Sequence, residues 1–243
     1  MKNAIGITVF SIAFVIASIV LGNAFMNRNK AQEKISVTGL GKADFTSDLI
    51  VWGARFQRVS SDLQKAYTDL ERDKILVMDY LVGKGIPGEN IVFSAVSTAE
   101  NNRSNYGPNG NYLGTTFTGY TLTQSVAINS TDVEKIEKTS RAITELLNRG
   151  VKLYSEAPRY YYTKIEDLKI QMISQATENA RLRAEKIAEN SGAALGDLVH
   201  ANMGIFQITG QNSDEDYSWG GAYNTSSKEK TASITMKLTY EVD

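Results

Sequence analysis

The sequence contains no cysteine, one histidine and three prolines among its 243 residues. Without cysteine, the chain has no disulfides, thiolate nucleophiles, iron–sulfur clusters or zinc sites with thiolate ligands. Because His200 is the only imidazole, metal sites with several histidines are excluded, and a Ser-His-Asp triad would depend on this one residue. A Walker loop, a GxGxxG turn before a helix and a GxSxG elbow are also missing. The sequence therefore predicts a protein that is not an enzyme, with no catalytic residues, cofactor or metal.

Neither sign of charge is in excess. The chain has 26 Lys and Arg against 27 Asp and Glu, a formal net charge of −1. A nearly neutral chain has no strong field with which to hold a polyanion. The charge balance thus argues against nucleic acid as a partner.

One long stretch has no charged side chain at all, namely residues 4–26 near the N-terminus. As a helix it would span roughly 34 Å at about 1.5 Å per residue, enough to cross a bilayer core. The alternative is a cleavable signal peptide, which has a shorter apolar core and a small-residue cleavage site. Residues 21–24 (LGNA) match such a site poorly. We therefore predict a membrane anchor within residues 1–30 and a body over residues 31–243.

Charges on either side of the anchor bear on its orientation. Arg28, Lys30, Lys34 and Lys42 follow it, against Lys2 and the amino terminus before it. The positive-inside rule would then place the body in the cytoplasm, although long domains are translocated largely regardless of flanking charge.

The body alternates between strand and helix patterns in the order β-β-α-β-β and then α-β-α-β-β. Capping boxes at residues 61–64, 131–134 and 163–166 begin the three helices. Strands that are adjacent in sequence favour antiparallel pairing, so we predict an α+β fold with helices packed on the sheet. The predicted strands are 35–39, 49–59, 90–99, 117–129, 151–162, 198–209 and 231–242.

Helical spacing also predicts which faces are buried. On the first helix these residues are Leu63, Tyr67, Leu70, Val77 and Leu81, and on the second Val133, Ile136, Ile143 and Leu147. On the third, alanines recur every four residues, a stripe that lets a helix lie close to its neighbour. They are Ala176, Ala180, Ala184 and Ala188.

Two polar segments, residues 101–116 and 210–227, separate predicted strands and are rich in Asn, Gly, Ser and aromatic residues. Such insertions are either functional or mobile hairpin tips. As contact loops they would use aromatic side chains, which suit protein interfaces and can also stack on sugars. The candidate contact residues are Tyr106, Tyr112, Tyr217, Trp219 and Tyr223.

Two further features have ordinary interpretations. Residues 214–216 (DED) lack the spaced acidic pattern of an EF-hand loop, so we expect a solvated acidic turn rather than a calcium site. No nucleophile motif accompanies His200, so we expect a partly buried, hydrogen-bonded imidazole rather than a catalytic base.

Three stretches of the sequence carry distinctive motifs. Residues 35–43 (ISVTGLGKA) match a VxGxGxA strand, and residues 119–126 (GYTLTQSV) match a GYxxxQxV strand. Residues 176–198 form an Ala-rich helix pattern that ends in GxxLG. Together these three stretches resemble the SIMPL-domain family. The chain has Ser47-Asp48 where the family commonly has Pro-Asp. The resemblance covers residues 33–243.

This resemblance implies an α+β protein of the bacterial periplasm or envelope with no established enzymatic activity. Members of the family are linked to stress tolerance and surface antigens, and some assemble into large homo-oligomeric rings. Three functions follow as hypotheses: an inner-membrane protein whose body assembles into a ring or cage outside the cytoplasm, an envelope module that binds a glycan or peptide through the aromatic loops, and an enzyme using His200 or residues 214–216.

Overall fold

A computed structural model describes residues 12–22, 24, 34–216 and 218–242 and divides the chain into two compact units. We call residues 1–40, 175–204 and 235–243 the terminal unit, and residues 41–174 and 205–234 the central unit. The antiparallel strands and packed helices confirm the predicted α+β class.

The central unit contains an antiparallel sheet of six strands. The longest strand, β5, pairs with β2 on one edge and with β3 and β4 on the other, while β6 and β7 pair with the free edge of β2. These strands are β2 (Leu49–Ser60), β3 (Ile91–Phe93), β4 (Ser97–Tyr106), β5 (Tyr112–Ser130), β6 (Leu153–Ser155) and β7 (Arg159–Tyr161).

Alternate residues of β2 and β5 form the core of this unit. The helices α1 (Leu63–Gly83) and α2 (Val133–Ala142) pack against β2, and their apolar faces complete the core. Trp52 is buried at its centre, where its indole Nε1 donates to Ser155 Oγ and to the Glu156 carbonyl, both at 3.1 Å. The alternation follows from the period of two along a strand.

The buried face of α1 differs from the predicted one. Leu63 and Tyr67 are exposed, whereas Ala66 and Asp73 are buried with the other predicted residues. Tyr67 lies about 100° around the helix from Ala66, which places it off the core. Asp62 caps the helix by accepting a hydrogen bond from Lys65 N at 2.9 Å, one residue after the predicted start of the capping box.

Asp73 is buried because Arg58 on β2 pairs with it. The guanidinium Nε and Nη2 donate to the two carboxylate oxygens at 2.5 and 2.6 Å, and Nη2 also donates to the Gly150 carbonyl at 2.9 Å. These hydrogen bonds to Asp73 raise the pKa of Arg58 above its ordinary value. A charged residue on an apolar helix face is thereby satisfied by a residue from the sheet.

The second predicted helix changes its winding. After α2 the chain continues as a 3₁₀ helix (Ile143–Arg149) and ends at Gly150, whose φ is +79°. With about three residues per turn, the residue stacked below Ile143 is Leu146. Leu146 is therefore buried and Leu147 is exposed, which corrects the prediction.

Three predicted strands are interrupted at bulges. Residues 156–158 lie opposite residues 52 and 53 of β2, and Pro158 among them has no amide hydrogen, so the predicted strand 151–162 divides into β6 and β7. The predicted strand 198–209 likewise divides into β8 (Leu195–Met203) and β9 (Gln207–Gly210). Predicted strand 90–99 divides into β3 and β4 at residues 94–96.

A second sheet has the strand order β1-β10-β8, with β9 also paired to β10. Its outer members include β1 (Lys34–Thr46), and its central strand is β10 (Glu229–Val242). β8 pairs antiparallel with residues 236–242 of β10 and β9 with residues 230–233.

The terminal unit contains most of the helix α3 (Ile165–Ser191). Its predicted alanine stripe is confirmed, because all four alanines are buried. Gly39 of β1 lies so close that a Cβ there would be 2.0 Å from the Ala176 carbonyl oxygen and 2.8 Å from Ala180 Cβ. The stripe thus allows helix and strand backbones to approach closely.

Residues 12–22 are helical and exposed. Among the residues that the structure describes, no helix is long and apolar enough to cross a membrane. Residues 4–11, 23, 25 and 26 of the predicted anchor lie outside the described residues.

Candidate interaction surface

The first polar segment forms a two-stranded ribbon. β4 and β5 pair from Ser97 with Thr123 to Tyr106 with Tyr112, so the loop predicted at residues 101–116 is confined to the turn at residues 107–111, and the rest of the prediction is wrong. β2 pairs with β5 only from Tyr120 onward, which leaves β4 as the one described partner strand of residues 112–119. We call residues 97–119 the ribbon.

Side-chain hydrogen bonds across the ribbon explain how a loop-like composition forms strands. Asn101 Nδ2 donates to Thr121 Oγ1 and Asn105 Nδ2 donates to Thr116 Oγ1, both at 2.8 Å. Cross-strand pairs of this kind stabilise a ladder by about 0.2–1 kcal/mol each. Residues of low strand propensity are therefore held in the ribbon by partners distant in sequence.

The end of the ribbon is aromatic and exposed. Tyr106 and Tyr112 lie opposite each other with ring centroids 6.0 Å apart in an edge-on arrangement, and they are 63% and 60% exposed. Leu113 beside them is 67% exposed. We call these three residues the ribbon tip. Two of the candidate contact residues therefore lie together on one apolar, uncovered surface.

The second polar segment, residues 210–227, is held by the buried side chain of Gln207. Gln207 Oε1 accepts hydrogen bonds from Ala222 N at 2.6 Å and Ser218 N at 3.3 Å, while its Nε2 donates to the Ser218 carbonyl at 2.8 Å. Ile208 forms a bridge with Tyr223, so the segment returns along β9. We call residues 211–228 the braced loop.

Glu215 joins the two ends of this loop. Its carboxylate accepts a hydrogen bond from Gly210 N at 2.9 Å and from Asn224 Nδ2 at 2.5 Å. Asn224 Oδ1 in turn accepts from Ser227 N at 2.8 Å. All three acidic residues are exposed, as expected of a solvated acidic turn, and Glu215 is in addition a structural acceptor.

The braced loop presents Trp219 to solvent with 96% of its surface exposed. Gly220 next to it lines an open cavity of about 390 Å³. The wall of this cavity is mainly apolar, with Lys169 as its one charged residue, and consists of Ile165, Lys169, Ile205, Phe206, Gly220, Gly221, Ala222 and Tyr223. Tyr223 thus lines the cavity and Trp219 directly precedes its lining residue Gly220, whereas Tyr217 lies outside the described residues.

A buried lysine lies beneath this loop. Lys230 on β10 is 2% exposed, its Nζ donates to the Tyr160 carbonyl at 2.5 Å, and it lies 6.0 Å from the centroid of the Tyr223 ring. Burial lowers the pKa of Lys230 to about 8, against a smaller opposing effect of Glu215. The sequence did not identify this residue, because a lysine at an inward strand position has no local signature.

The lowered pKa of Lys230 predicts how the free energy of unfolding changes with pH. Its pKa is about 8 when folded against 10.5 when solvated, so above about pH 8 the unfolded chain holds a proton that the folded chain has lost. Stability should therefore rise between these pH values, by at most about 3 kcal/mol. Urea unfolding from about pH 7.5 to 9.5 measures this slope.

Lys230→Met is the control for that experiment, since it should remove the slope. The measurement ends at about pH 9.5 because burial raises the pKa of Tyr160. The free energy of unfolding therefore falls again as tyrosines ionise above about pH 10. An equal slope in both proteins would contradict the assignment to Lys230.

His200 is exposed on β8, so the prediction of partial burial is wrong. A one-sided strand alternates buried and exposed positions, but the seven consecutive residues 197–203 around His200 are all exposed. Within the described ranges, no three His, Asp or Glu side chains lie close enough together to hold a metal ion.

The residues of the sequence motifs at positions 35–43 and 119–126, together with Asp48, make packing contacts and hydrogen bonds within the protein. Gly119 has φ of +133° and a Cβ there would lie 2.5 Å from the Ser60 carbonyl oxygen, while Gln124 is buried and donates to the Ser94 carbonyl at 2.8 Å. Asp48 accepts hydrogen bonds from Thr163 N and Oγ1, both at 2.7 Å. Together with Gly39, these residues fix backbone contacts within each unit.

A family model described as SIMPL, a protein of unknown function (DUF541), matches residues 35–242. The match covers both described sheets and all three long helices of the body. The chain belongs to the SIMPL family. No curated protein matches it.

In this SIMPL protein, the motif residues and the candidate contact residues are different sets. The motif residues lie at close backbone approaches or in hydrogen bonds, whereas Tyr106, Tyr112, Trp219 and Tyr223 are exposed. Membership therefore accounts for the fold and leaves the exposed aromatic surfaces to be explained by function.

Proposed function

We propose that this SIMPL protein is a non-enzymatic, membrane-anchored envelope protein whose body assembles with other copies into a large ring or cage. The observation that carries the proposal is the ribbon, which projects both faces and its aromatic tip into solvent. An isolated two-stranded ribbon is marginally stable in water, so a partner that covers it would stabilise it. Tyr residues in such a position are typical of interface anchors.

The edges of the ribbon support the same proposal. Among the described residues, no strand pairs with the outer edge of β4 or with the edge of residues 112–119 that faces away from β4. Unpaired backbone donors and acceptors on such edges favour association with another chain. Self-assembly would satisfy them.

An N-terminal anchor would favour assembly further. The large apolar side chains described within residues 12–22 are 55–69% exposed, and the Ser18 hydroxyl donates to the Phe14 carbonyl at 2.8 Å. This bond satisfies the only side-chain hydroxyl within residues 12–22, which would otherwise face lipid. We propose that residues 4–26 anchor the chain in the inner membrane with the body in the periplasm, where confinement raises the effective concentration.

The mass of the full-length protein in mild detergent tests assembly. We expect a discrete particle of many times 26.7 kDa, measured by mass photometry at several protein concentrations. A protein lacking residues 1–30 is the matched control, and its particles should fall apart at dilutions at which the full-length particles persist, because its copies no longer share a detergent micelle through their anchors. A monomer at high concentration would contradict the proposal.

A second function has one observation in its favour. Trp219 stands exposed beside the open apolar cavity, an arrangement that would suit capture of a glycan or a peptide side chain. A monomeric full-length protein would leave this function as the better explanation of the braced loop.

A further inference from the structure

We infer that neighbouring copies contact each other head to tail, with the ribbon tip of one copy seated in the cavity beside Trp219 of the next. This inference rests on the proposed self-assembly and names the surfaces that carry it. Both surfaces belong to the central unit of one chain.

The two surfaces match in shape and polarity. The ribbon tip is a projecting apolar surface made by Tyr106, Tyr112 and Leu113. The cavity is concave, mainly apolar and about 390 Å³ in volume, within the range of sites that enclose small groups. It therefore suits a few inserted side chains, and the exposed Trp219 directly precedes its lining residue Gly220 in the chain.

Charge favours a contact between unlike surfaces. Arg103 is the only charged residue between positions 101 and 119, whereas the braced loop contains three acidic residues and a single lysine, Lys228. Two ribbons facing each other would bring two arginines together, and two braced loops would bring exposed carboxylates together. A ribbon against a braced loop instead places Arg103 near Asp214 and Asp216.

The symmetry of such a contact fits a closed assembly. A contact between identical surfaces joins two copies and then stops, whereas a contact between different surfaces leaves one of each free on every pair. Successive copies then add to form a ring where the rotation between neighbours closes, and an open filament where it does not. A head-to-tail contact can thus build a ring from one kind of interface.

Two full-length variants separate the surfaces. The ribbon variant carries Tyr106→Ser and Tyr112→Ser, and the loop variant carries Trp219→Ala and Tyr223→Ala. All four side chains are exposed, so circular dichroism and melting curves should match the wild type. Tyr67→Ser, which removes a 50% exposed tyrosine from α1, is the control and should assemble normally.

We expect each variant alone to be monomeric in detergent and their mixture to form a dimer and nothing larger. In that mixture, the intact ribbon of the loop variant meets the intact cavity of the ribbon variant, and the remaining surfaces are both disabled. Arg103→Glu should weaken the contact about fivefold, and Asp214→Lys with Asp216→Lys should restore it.

The outcomes distinguish this contact from assembly itself. A monomeric wild type overturns assembly and this contact with it. If the wild type forms particles and the variants keep the full particle mass, assembly stands and the head-to-tail contact is overturned. The same conclusion follows if the mixture of the two variants stays monomeric. An Arg103→Glu effect that the reversed loop charges do not restore would also count against it.

Discussion

Gly39→Ala is expected to destabilise the terminal unit by more than about 3 kcal/mol. The added Cβ would lie 2.0 Å from the Ala176 carbonyl oxygen and 2.5 Å from Ala180 N, both backbone atoms that cannot rotate away. Hydrogen bonds on either side hinder a shift, because Leu40 N donates to Asn179 Oδ1 at 3.2 Å and Arg183 Nη1 donates to the Thr38 carbonyl at 2.9 Å. Relief therefore requires β1 and α3 to separate.

Urea unfolding followed by far-UV circular dichroism measures this loss. Helical signal is needed because Trp52 and Trp219 both lie in the central unit and their fluorescence does not report on α3. Gly83→Ala is the control, since a Cβ at this helix end meets nothing within 4 Å and should change stability by less than about 1 kcal/mol. Equal midpoints for the two variants would contradict the packing argument.

Local patterns were sufficient to predict several elements of the fold. The alanine stripe of α3 needs only a spacing of four, and its burial against a strand glycine follows from the small size of both residues. Asp62 and Asp132 begin helices within one residue of the predicted caps, because capping depends on neighbouring residues alone. The order of strands and helices has the same local origin.

The errors concern pairings between distant residues. The ribbon has a loop-like composition, and its strands are held by Asn and Thr partners on the opposite strand. The bulge at Pro158 becomes visible only when β6 and β7 are placed on β2. Leu146 replaces Leu147 because the helix winds more tightly after Ile143. Tertiary context decides each of these cases.

For the candidate surface, the sequence identified the aromatic contact residues but not the three-dimensional surroundings in which they lie. Aromatic residues in polar segments predicted contact residues, and four of the five are described and exposed. The cavity beside Trp219 could not be predicted, because Ile165 and Lys169 come from α3 and Ile205 from the chain before β9. Lys230 and Asp73 were missed for the same reason, since their partners are distant in sequence.

Removing the guanidinium of Arg58 should destabilise the central unit by about 3–5 kcal/mol. Asp73 is fully buried on α1, and Arg58 supplies both hydrogen bonds that its carboxylate oxygens accept. In Arg58→Met the carboxylate would remain buried without its cation, which costs more than the pair contributes. The same substitution also frees the Gly150 carbonyl from its bond with Nη2.

A double-mutant cycle separates the cost of an unpaired charge from the contribution of the pair. We expect Arg58→Met with Asp73→Leu to regain most of the stability lost by Arg58→Met alone, because no buried charge remains. Trp52 in the same core reports unfolding by fluorescence.

Arg141→Met is the matched control, since Arg141 pairs with Glu137 at 3.1 Å with 70% of its own side chain exposed, and its removal should cost less than about 1 kcal/mol. If Arg58→Met were no more costly than this control, Asp73 would be stabilised by something other than the ion pair. Strictly additive losses in the double variant would lead to the same conclusion, because coupling is what a shared buried charge predicts.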